Sequence, residues 1–569
     1  MRYNPPRLLP VGDSALLIEF GDEINPDINA QVHALALALA DYAQPGVGEA
    51  VPTYRSLLWH YDVLRLSFDE ISSLAGQALG RVKSNAPPEP RVVDIPTCYG
   101  GELGPNLEFV ARHNGLEPKD VMRLHASTLY PLYMLGFSPG FAYLGGLPGA
   151  IATPRLSSPR TQVPAGSVGI AGGQTGIYPI TSPGGWQLIG RTPLRLFDPQ
   201  RDPPTLLRPG DRVRFVPIDP ARFAALWEQE WGTGDQSPAI AADPGAPGLE
   251  VLWPGMLSTV QDLGRRGYER FGMPVAGAMD AFALRAANAL VGNPPGAAGL
   301  EIISAGTTLR ANSDCLIAVA GADFSLYVHN KPLPNWGSAF VRRGWRIEFR
   351  ARRSGCRAYL AVAGGIALPP IMGSRSTYLR GGLWRALQAG DLLPVGPVDW
   401  HLPERAARRL PQDLIPPYSE HPTVDVILGP QADAFGPESQ RAFFESAYRL
   451  TPTSDRMGYR LQGAEVAHRG PADIVSDGIA LGAIQVPADR QPIVMMADRQ
   501  TTGGYPKLAT VVSADIPLLA QCLPGQSDIR FRETDVRQAQ RRYRRMIQGL
   551  DLCFPDSVAG LMSSLAGVD

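Results

Sequence analysis

Glycine sets the strongest limit on what this chain can become. The run Val163-Pro-Ala-Gly-Ser-Val-Gly-Ile-Ala-Gly-Gly-Gln-Thr-Gly-Ile-Tyr-Pro179 is the densest part of a Gly- and Pro-punctuated stretch reaching from His125 to Thr192. So many glycines in a β-rich passage mean positive φ angles or close backbone approach, both commoner in binding loops than in plain core strands. The second half of the chain echoes the run. There Val486-Pro-Ala leads to Gln500-Thr-Thr-Gly-Gly-Tyr-Pro-Lys507, as Val163-Pro-Ala leads to Gln174-Thr-Gly-Ile-Tyr-Pro179. The pattern reads as one module used twice, with Gln174 and Gln500 in equivalent places.

A chain of 569 residues exceeds one hydrophobic core, and roughly three to five domains are expected. Its 53 basic and 54 acidic residues leave a net charge of −1, so electrostatics gives no case for nucleic acid or an anionic membrane as partner. Small molecules or proteins are expected instead, with a homo-oligomer left open. Cys98, Cys315, Cys356, Cys522 and Cys553 are widely spaced with no C-x-x-C, which reads as buried reduced thiols. The N-terminus lacks the apolar run of a signal peptide, and a cytoplasmic soluble protein is expected. Arginine outnumbers lysine heavily, so the lysine at 507, inside the repeated motif, is informative: arginine cannot act as a compact or deprotonatable amine.

Along the chain, residues 1–88 read as a small α/β domain. Ala15–Phe20 and Ser56–Trp59 are its strands, Asn25-Pro26 opens a helix through about Tyr42, and a second helix follows Asp69. Pro87-Pro-Glu-Pro90 is a stiff linker. Residues 89–231 change to short strands broken by Gly and Pro, suggesting a closed or nearly closed barrel, with helices near Leu107–Asn114, Pro118–His125 and Phe223–Trp231. Residues 232–248 are a Gly/Pro-rich linker of the kind that joins two formerly separate polypeptides. Residues 249–410 carry strands and a helix capped by Asp280. Residues 411–535 hold a second β section with the second motif copy. Residues 536–569 form a final helix capped by Thr534, with Arg541, Arg542, Arg544 and Arg545 as a solvated basic face, and a loose tail.

Several familiar catalytic signatures are missing: no phosphate loop, no H-E-x-x-H, no G-x-S-x-G elbow and no strand-linked G-x-G-x-x-G. The histidines lack metal-ligand spacing, so no protein-held metal is expected. What remains are polar residues in Gly/Pro loops. In the first half these are His125, Ser138, Arg155, Arg160, Gly172, Gly173, Gln174, Thr175, Tyr178 and Arg191. In the second they are Gln261, Asp262, Arg265, Asp280, Arg456, Asp477, Gln485, Asp498, Arg499, Gln500, Thr501, Tyr505 and Lys507. Backbone N–H groups of such loops and arginine bind carboxylate or phosphate oxygens, and glutamine can read an amide through its donor and its acceptor. A bland alternative stands beside each: His125 as a core histidine, Asp262 and Asp280 as caps, Tyr178 and Tyr505 as barrel aromatics.

Met134-Leu-Gly-Phe-Ser-Pro-Gly-Phe-Ala-Tyr-Leu-Gly-Gly-Leu-Pro148, the run 163–179 and Ser182-Pro-Gly-Gly-Trp186 resemble the KipI family, whose members are also called the first component of allophanate hydrolase or the B component of 5-oxoprolinase. Gly255-Met-Leu-Ser-Thr-Val-Gln-Asp-Leu-Gly-Arg265, Gly277-Ala-Met-Asp280, Ser454-Asp-Arg-Met-Gly458 and Ala497–Lys507 resemble the KipA family, the C component of 5-oxoprolinase. The resemblance implies a mainly β fold with α+β additions: cyclophilin-like β-barrels in both halves plus the small N-terminal α/β domain. Such a fold does not itself imply prolyl isomerase activity.

The same resemblance implies the B plus C component of an ATP-dependent 5-oxoprolinase, opening 5-oxo-L-proline to L-glutamate with a LamB/YcsF-type A subunit, ATP and Mg²⁺, and without bound biotin. Phosphorylating the lactam oxygen would open the carbonyl carbon to water. On that reading Gln174 and Gln500 orient the lactam, His125 moves a proton, and Asp498 acts as base or metal-water ligand. Tyr178 and Lys507 join the catalytic set. Arg191, Arg499, Ser138, Arg160, Gly172, Gly173, Thr175, Arg456, Thr501 and Tyr505 bind substrate or phosphate. Two other readings follow from the same families: a carboxyltransferase component related to urea carboxylase, and a KipI/KipA-type regulator of a sensor histidine kinase.

Overall fold

A computed structural model describes residues 1–40, 42, 44–82, 90–158, 160–232, 240, 245–555 and 557. Most of the expected linkers at 87–90 and 232–248, and the tail beyond 557, lie outside the described residues. The N-terminal domain is an antiparallel sheet of β1 (Arg2–Val11), β2 (Ala15–Gly21), β3 (Val47–Pro52) and β4 (Ser56–Tyr61) in the order β1-β2-β4-β3. Helices α1 (Pro26–Ala40) and α2 (Phe68–Arg81) cover one face, closing a core around Leu16, Ile18, Leu35 and Trp59. Asn25 caps α1 through the Asp27 N–H at 2.8 Å, and Ser67 with Glu70 forms a capping box on α2. The other sheet face, with Leu17, Val51 and Leu58, packs on Ala480 of the second half. Burial of both faces accounts for the unbroken apolar run Ala15-Leu-Leu-Ile. Strand β1 is not expected from the sequence, because Pro5 and Pro6 mask an edge strand.

The first barrel uses β5 (Val92–Tyr99), β6 (Leu129–Leu135), β7 (Ala142–Leu144), β8 (Arg160–Val163), β9 (Ser167–Ala171), β10 (Gln174–Ile177), β11 (Ser182–Gly184), β12 (Gln187–Arg191) and β13 (Arg212–Pro217). Seven of these close in the order β5-β13-β6-β7-β10-β9-β12, while β8 and β11 form a separate ribbon. Helices α3 (Leu107–His113) and α4 (Pro118–Ala126) help fill the barrel, and α5 (Pro220–Trp231) follows it.

The central section is a sandwich. One sheet contains β14 (Gly248–Trp253), β17 (Thr308–Ala311), β19 (Leu326–Val328), β20 (Lys331–Pro332), β22 (Arg346–Phe349) and β24 (Leu392–Pro394). The other contains β15 (Leu257–Gln261), β16 (Gly299–Ile303), β18 (Cys315–Asp323), β21 (Gly337–Val341) and β23 (Ser354–Val362). Their facing side chains form the largest core, and α6 (Ala281–Val291), capped by Asp280 through the Ala283 N–H at 2.8 Å, covers the outer face of the second sheet.

The second barrel is built from β25 (Thr423–Leu428), β26 (Tyr448–Leu450), β27 (Gly458–Gln462), β28 (Asp477–Gly478), β29 (Ala483–Gln485), β30 (Ile493–Met495), β31 (Thr502–Gly503), β32 (Lys507–Val511) and β33 (Asp528–Glu533). It closes as β25-β33-β26-β27-β30-β29-β32, with β28 and β31 as the ribbon. Every strand of the first barrel therefore has a counterpart. Even the parallel closure recurs, β5 with β13 and β25 with β33. The module is used twice, but in a different register from the one the letters suggest. Gly166 and Gly482 share φ +81°; the former accepts the Thr192 N–H and the latter the Val511 N–H, each at 2.9 Å. Gly184-Gly185-Trp186 then matches Gly503-Gly504-Tyr505. Gln174 opens β10, whose counterpart is β30, whereas Gln500 precedes β31, whose counterpart is β11. The two glutamines are not equivalent, because Val-Pro-Ala and Tyr-Pro recur on different strands.

Helices α7 (Pro437–Glu445), α8 (Ile516–Ala520) and α9 (Val536–Cys553) complete the chain. The cap of α9 is Asp535, which accepts from Gln538, rather than Thr534. Its basic residues are not simply a solvated face: Arg542 pairs with Asp425 and Asp515, and Arg544 donates to the Val63 and Leu66 carbonyls. Gln540 reaches Asp13 O and the Tyr61 hydroxyl, so α9 ties the end of the chain to its first domain. Cys98, Cys315, Cys356 and Cys522 are buried free thiols, and Cys553 is exposed. Among the described residues no helix is long and apolar enough to cross a membrane.

Candidate functional site at the junction of the halves

The two glycine-rich regions meet. Loop 136–141, between β6 and β7, runs against β31: the Phe137 N–H donates to Thr502 Oγ1 at 3.2 Å. The contact needs glycine at 136, since a Cβ there would collide with the Thr502 side chain. Gly136→Ala should therefore cost about 1–3 kcal/mol by overpacking, and Thr502→Ala should recover part of it. Thermal melts of the two single variants and the double variant measure this as a coupling energy. On the next turn the Gly140 N–H donates to Phe271 O at 2.7 Å.

Above this seam lies an aromatic cluster of Tyr54, Tyr133, Phe141, Tyr143, Tyr178 and Trp186. Tyr54, from the loop before β4, leans on Tyr133 and Tyr143 at 5.2 and 6.0 Å between ring centroids. Its hydroxyl accepts a hydrogen bond from Gln174 Nε2. Tyr143 places its hydroxyl against Thr502 and Ser476 of the second barrel. Burial pushes Tyr143 and Tyr178 up to about 12 and Tyr54 well above the usual phenol value, so all three are neutral donors at pH 7. Gln174 is half-buried, and Arg155, Gly172 and Gly173 are exposed beside it. With one amide N–H committed to Tyr54, the second N–H and the carbonyl oxygen of Gln174 have no partner among the described residues, and such a donor and acceptor pair complements an amide edge.

Below the seam sits a buried ion cluster. Lys507 and Asp477 are both fully buried, with Nζ 3.5 Å from Oδ2. Asp477 also accepts from Ser56 Oγ at 2.5 Å and from Gln431 Nε2 at 3.2 Å. Burial opposes its ionisation, but Lys507 and Arg55 outweigh this and hold the carboxyl below its usual range. Burial pulls the Lys507 ammonium down.

The second-half motifs converge on Arg456. Its guanidinium donates to Glu301 Oε1 at 2.6 Å, to Gly277 O at 2.5 Å, and to Asp498 at 2.9 and 3.1 Å. Glu301 accepts in addition from Tyr359 Oη and the Met279 N–H. Neighbouring Asp280 accepts from Tyr418 Oη and Gln521 Nε2, and burial raises its carboxyl to about 6. Both Asp498 oxygens accept from Arg456, so the carboxylate serves as the bidentate partner of a buried guanidinium. Among the described residues no group of three or more His, Cys, Asp or Glu side chains is placed to hold a metal ion.

Other expected site residues stand apart from the seam or hold structure. His125 is fully buried, bonded to Tyr99 Oη at 2.8 Å and Thr175 Oγ1 at 2.9 Å, and burial lowers it to about 3. That is the geometry of a neutral core histidine. Arg160 donates to Asn106 and Trp186 O, and Arg191 donates to Ala165 O while lying 4.2 Å over Trp227. Thr501 is buried and Ser138 is buried near the seam with Gly272 against its carbonyl, whereas Gln500 and Tyr505 are half-buried. Sequence reasoning misses Tyr54, Ser56, Tyr143, Glu49, Glu269 and Glu301. Only the polar run Thr53-Tyr-Arg-Ser56 ahead of a strand offers a signal.

Arg499 leads to a joint with the first domain. It donates to Glu269 Oε1 at 2.7 Å, and Glu269 Oε2 lies 3.4 Å from His60 Nε2. Glu49 accepts the Glu269 and Arg270 N–H groups at 2.9 and 3.0 Å. Burial, with Glu269 adding to it, raises the Glu49 carboxyl from 4.5 to about 7. Between those values the folded protein keeps a proton that the unfolded chain has lost, so this stabilising contribution is complete below 4.5 and disappears as pH rises through 7. The stability of the native protein relative to Glu49→Gln should accordingly fall between pH 5 and 8, measured by denaturant titration across that range.

Two barrels of one design, in contact through loop 136–141 and β31, make this a chain of two related halves. A family described as carboxyltransferase domain, subdomain C and D, matches residues 6–207, and one described as subdomain A and B matches 271–533. The first half is 48% identical over 239 residues to the B subunit of 5-oxoprolinase from Bacillus subtilis, covering 40% of this chain and 98% of that protein. The second is 38% identical over 305 residues to the C subunit of 5-oxoprolinase from Escherichia coli, covering 52% of this chain and 96% of that protein. The crystal structure of TTHA0988 superposes with a TM-score of 0.81 at 37% identity, covering 91% of this chain and 99% of that one. The chain belongs to the KipI/KipA family of 5-oxoprolinase B and C subunits, with both fused in one polypeptide.

Proposed function

We propose that this protein is the B plus C component of an ATP-dependent 5-oxoprolinase, hydrolysing 5-oxo-L-proline to L-glutamate together with a LamB/YcsF-type A subunit. The observation that carries the reading is that nearly full-length counterparts of the B and the C subunits stand in one chain. In support, Gln174 offers a free amide donor and acceptor beside neutral tyrosine hydroxyls at the seam between the halves. Bound there, the lactam would meet Gln174 through its N–H and C=O, with the exposed Arg155 near enough to attract its carboxylate. Phosphorylation of the lactam oxygen by ATP activates the carbonyl for water, and Mg²⁺ would arrive with the nucleotide, since the carboxylates of the Arg456 network are already engaged. The buried His125 is given no proton-transfer role.

The description of both matched families as carboxyltransferase domains favours one second reading: transfer of a carboxyl group from biotin held on a separate subunit to a urea-like amide. The test sets the two side by side. With the A subunit and MgATP, the first reading expects ADP release that depends on 5-oxoproline; with a carboxybiotin donor and urea, the second expects loss of the biotin carboxyl group. Turnover in the second mixture alone would overturn the first reading.

A further inference from the structure

Away from the seam, a cavity of about 1110 Å³ opens between α1, the end of α2 and the first barrel. Its apolar wall includes Ala30, Ala34 and Leu37 of α1, with Pro131 of β6 opposite. Leu37 is 58% exposed and lines this space. The charged lining is one-sided. Among the described lining residues, Arg81, Arg91, Arg208 and Arg212 contribute four guanidinium groups against the single carboxylate of Asp211. That carboxylate is taken: it lies 2.6 Å from Arg91 Nη2 and accepts the Arg208 N–H at 2.8 Å. Arg208 and Arg212 are exposed and have no carboxylate partner among the described residues.

The polar groups on the floor are engaged as well. His33 Nε2 bonds to Tyr133 O at 2.8 Å, and Asn29 Nδ2 donates to Thr53 O at 3.0 Å and Tyr54 O at 3.2 Å. Burial lowers the His33 imidazole, so it is neutral and adds no cation. A ligand entering this space therefore meets an apolar wall and two uncommitted guanidinium groups. The volume is that of a site for a small organic molecule, and a boundary between two domains is where such sites concentrate.

We propose that this cavity binds a small organic anion, its carboxylate or phosphate head on Arg208 and Arg212 and its apolar body along α1. The cavity shares Tyr133 with the aromatic cluster but is lined by neither Gln174 nor Thr502, and the proposal does not depend on the reaction assigned at the seam. The probe is 8-anilinonaphthalene-1-sulfonate, an anion on an apolar body, titrated into the intact folded protein and read by fluorescence. Saturable, blue-shifted emission at one probe per chain is expected. The Arg208→Glu/Arg212→Glu double variant should raise the probe Kd by about tenfold or more, with an unchanged melt because both side chains are exposed. Ala34→Trp, which fills the cavity from α1, should abolish saturable binding with both arginines intact. Displacement by octanoate or by hexyl phosphate identifies which head group the pair prefers. Absence of saturable binding, or an affinity unchanged in both variants, would overturn the proposal.

Discussion

Replacing Arg456 by alanine is expected to destabilise the protein by about 3–5 kcal/mol, the usual cost of removing one partner from a buried ion network. The guanidinium is only 11% exposed, and it faces Glu301 at 1% and Asp498 at 9%. Burial alone would raise the Glu301 carboxyl, yet Arg456 and Arg357 hold it below its usual range. Without Arg456, Glu301 retains Arg357 at 3.8 Å, Tyr359 and the Met279 N–H, while Asp498 loses the partner of both its oxygens. The same side chain also donates to Gly277 O, so the cut loosens the sandwich loop and the second barrel together. Arg456→Lys should recover only part of the loss, because an ammonium cannot serve two carboxylates and a carbonyl in that fork geometry. Chemical denaturation at pH 7 measures both variants. A cost below about 1 kcal/mol for the alanine variant would show that the network does not hold these elements.

Gln174→Ala and Lys507→Ala should separate cleanly, although the same sequence echo singles out both residues. Gln174 is half-buried, and among the described residues its side chain bonds to the Tyr54 hydroxyl. Its removal should cost about 1 kcal/mol of stability while reducing turnover of 5-oxoproline by about a hundredfold or more, the scale for losing a group that orients the reacting amide. Lys507 has no exposed surface and is paired with Asp477. Its truncation leaves a buried carboxylate with Ser56 and Gln431 as hydrogen-bond partners and should cost about 3 kcal/mol or more. Melts and steady-state kinetics on both variants check the division. Wild-type turnover in Gln174→Ala would remove the glutamine from the site, and an unchanged melt in Lys507→Ala would remove the lysine from the structural cluster.

Much of the architecture was legible because local chemistry and tertiary structure agree. Asn25-Pro26 and Asp280 start helices where caps and proline belong, and glycine and proline mark the edges of short barrel strands. Strand β1 escaped because two prolines on an edge look like loop. The duplication was legible but its register was not. Identical letters recur on different strands, and only the matching hydrogen bonds at Gly166 and Gly482 align the barrels. The contact between the halves was legible on its glycine side: the motif around Gly136 is where the first half meets Thr502. The other members of the site, Tyr54, Tyr143, Glu49 and Glu301, sit in strands or their flanking loops with no local mark, since their importance comes from residues hundreds of positions away. His125 illustrates the reverse error: its residue type suggests chemistry, and its surroundings make it core.

The proposed opening of a cyclic amide by the fused halves with a partner protein is tested most directly by measuring glutamate. The purified, folded protein is mixed with the proposed LamB/YcsF-type A subunit, ATP, Mg²⁺ and 5-oxo-L-proline. Glutamate and ADP are predicted in equal amounts, with neither formed when this chain is omitted. Absence of glutamate from the complete mixture, with both components folded and associated, would contradict the proposed reaction.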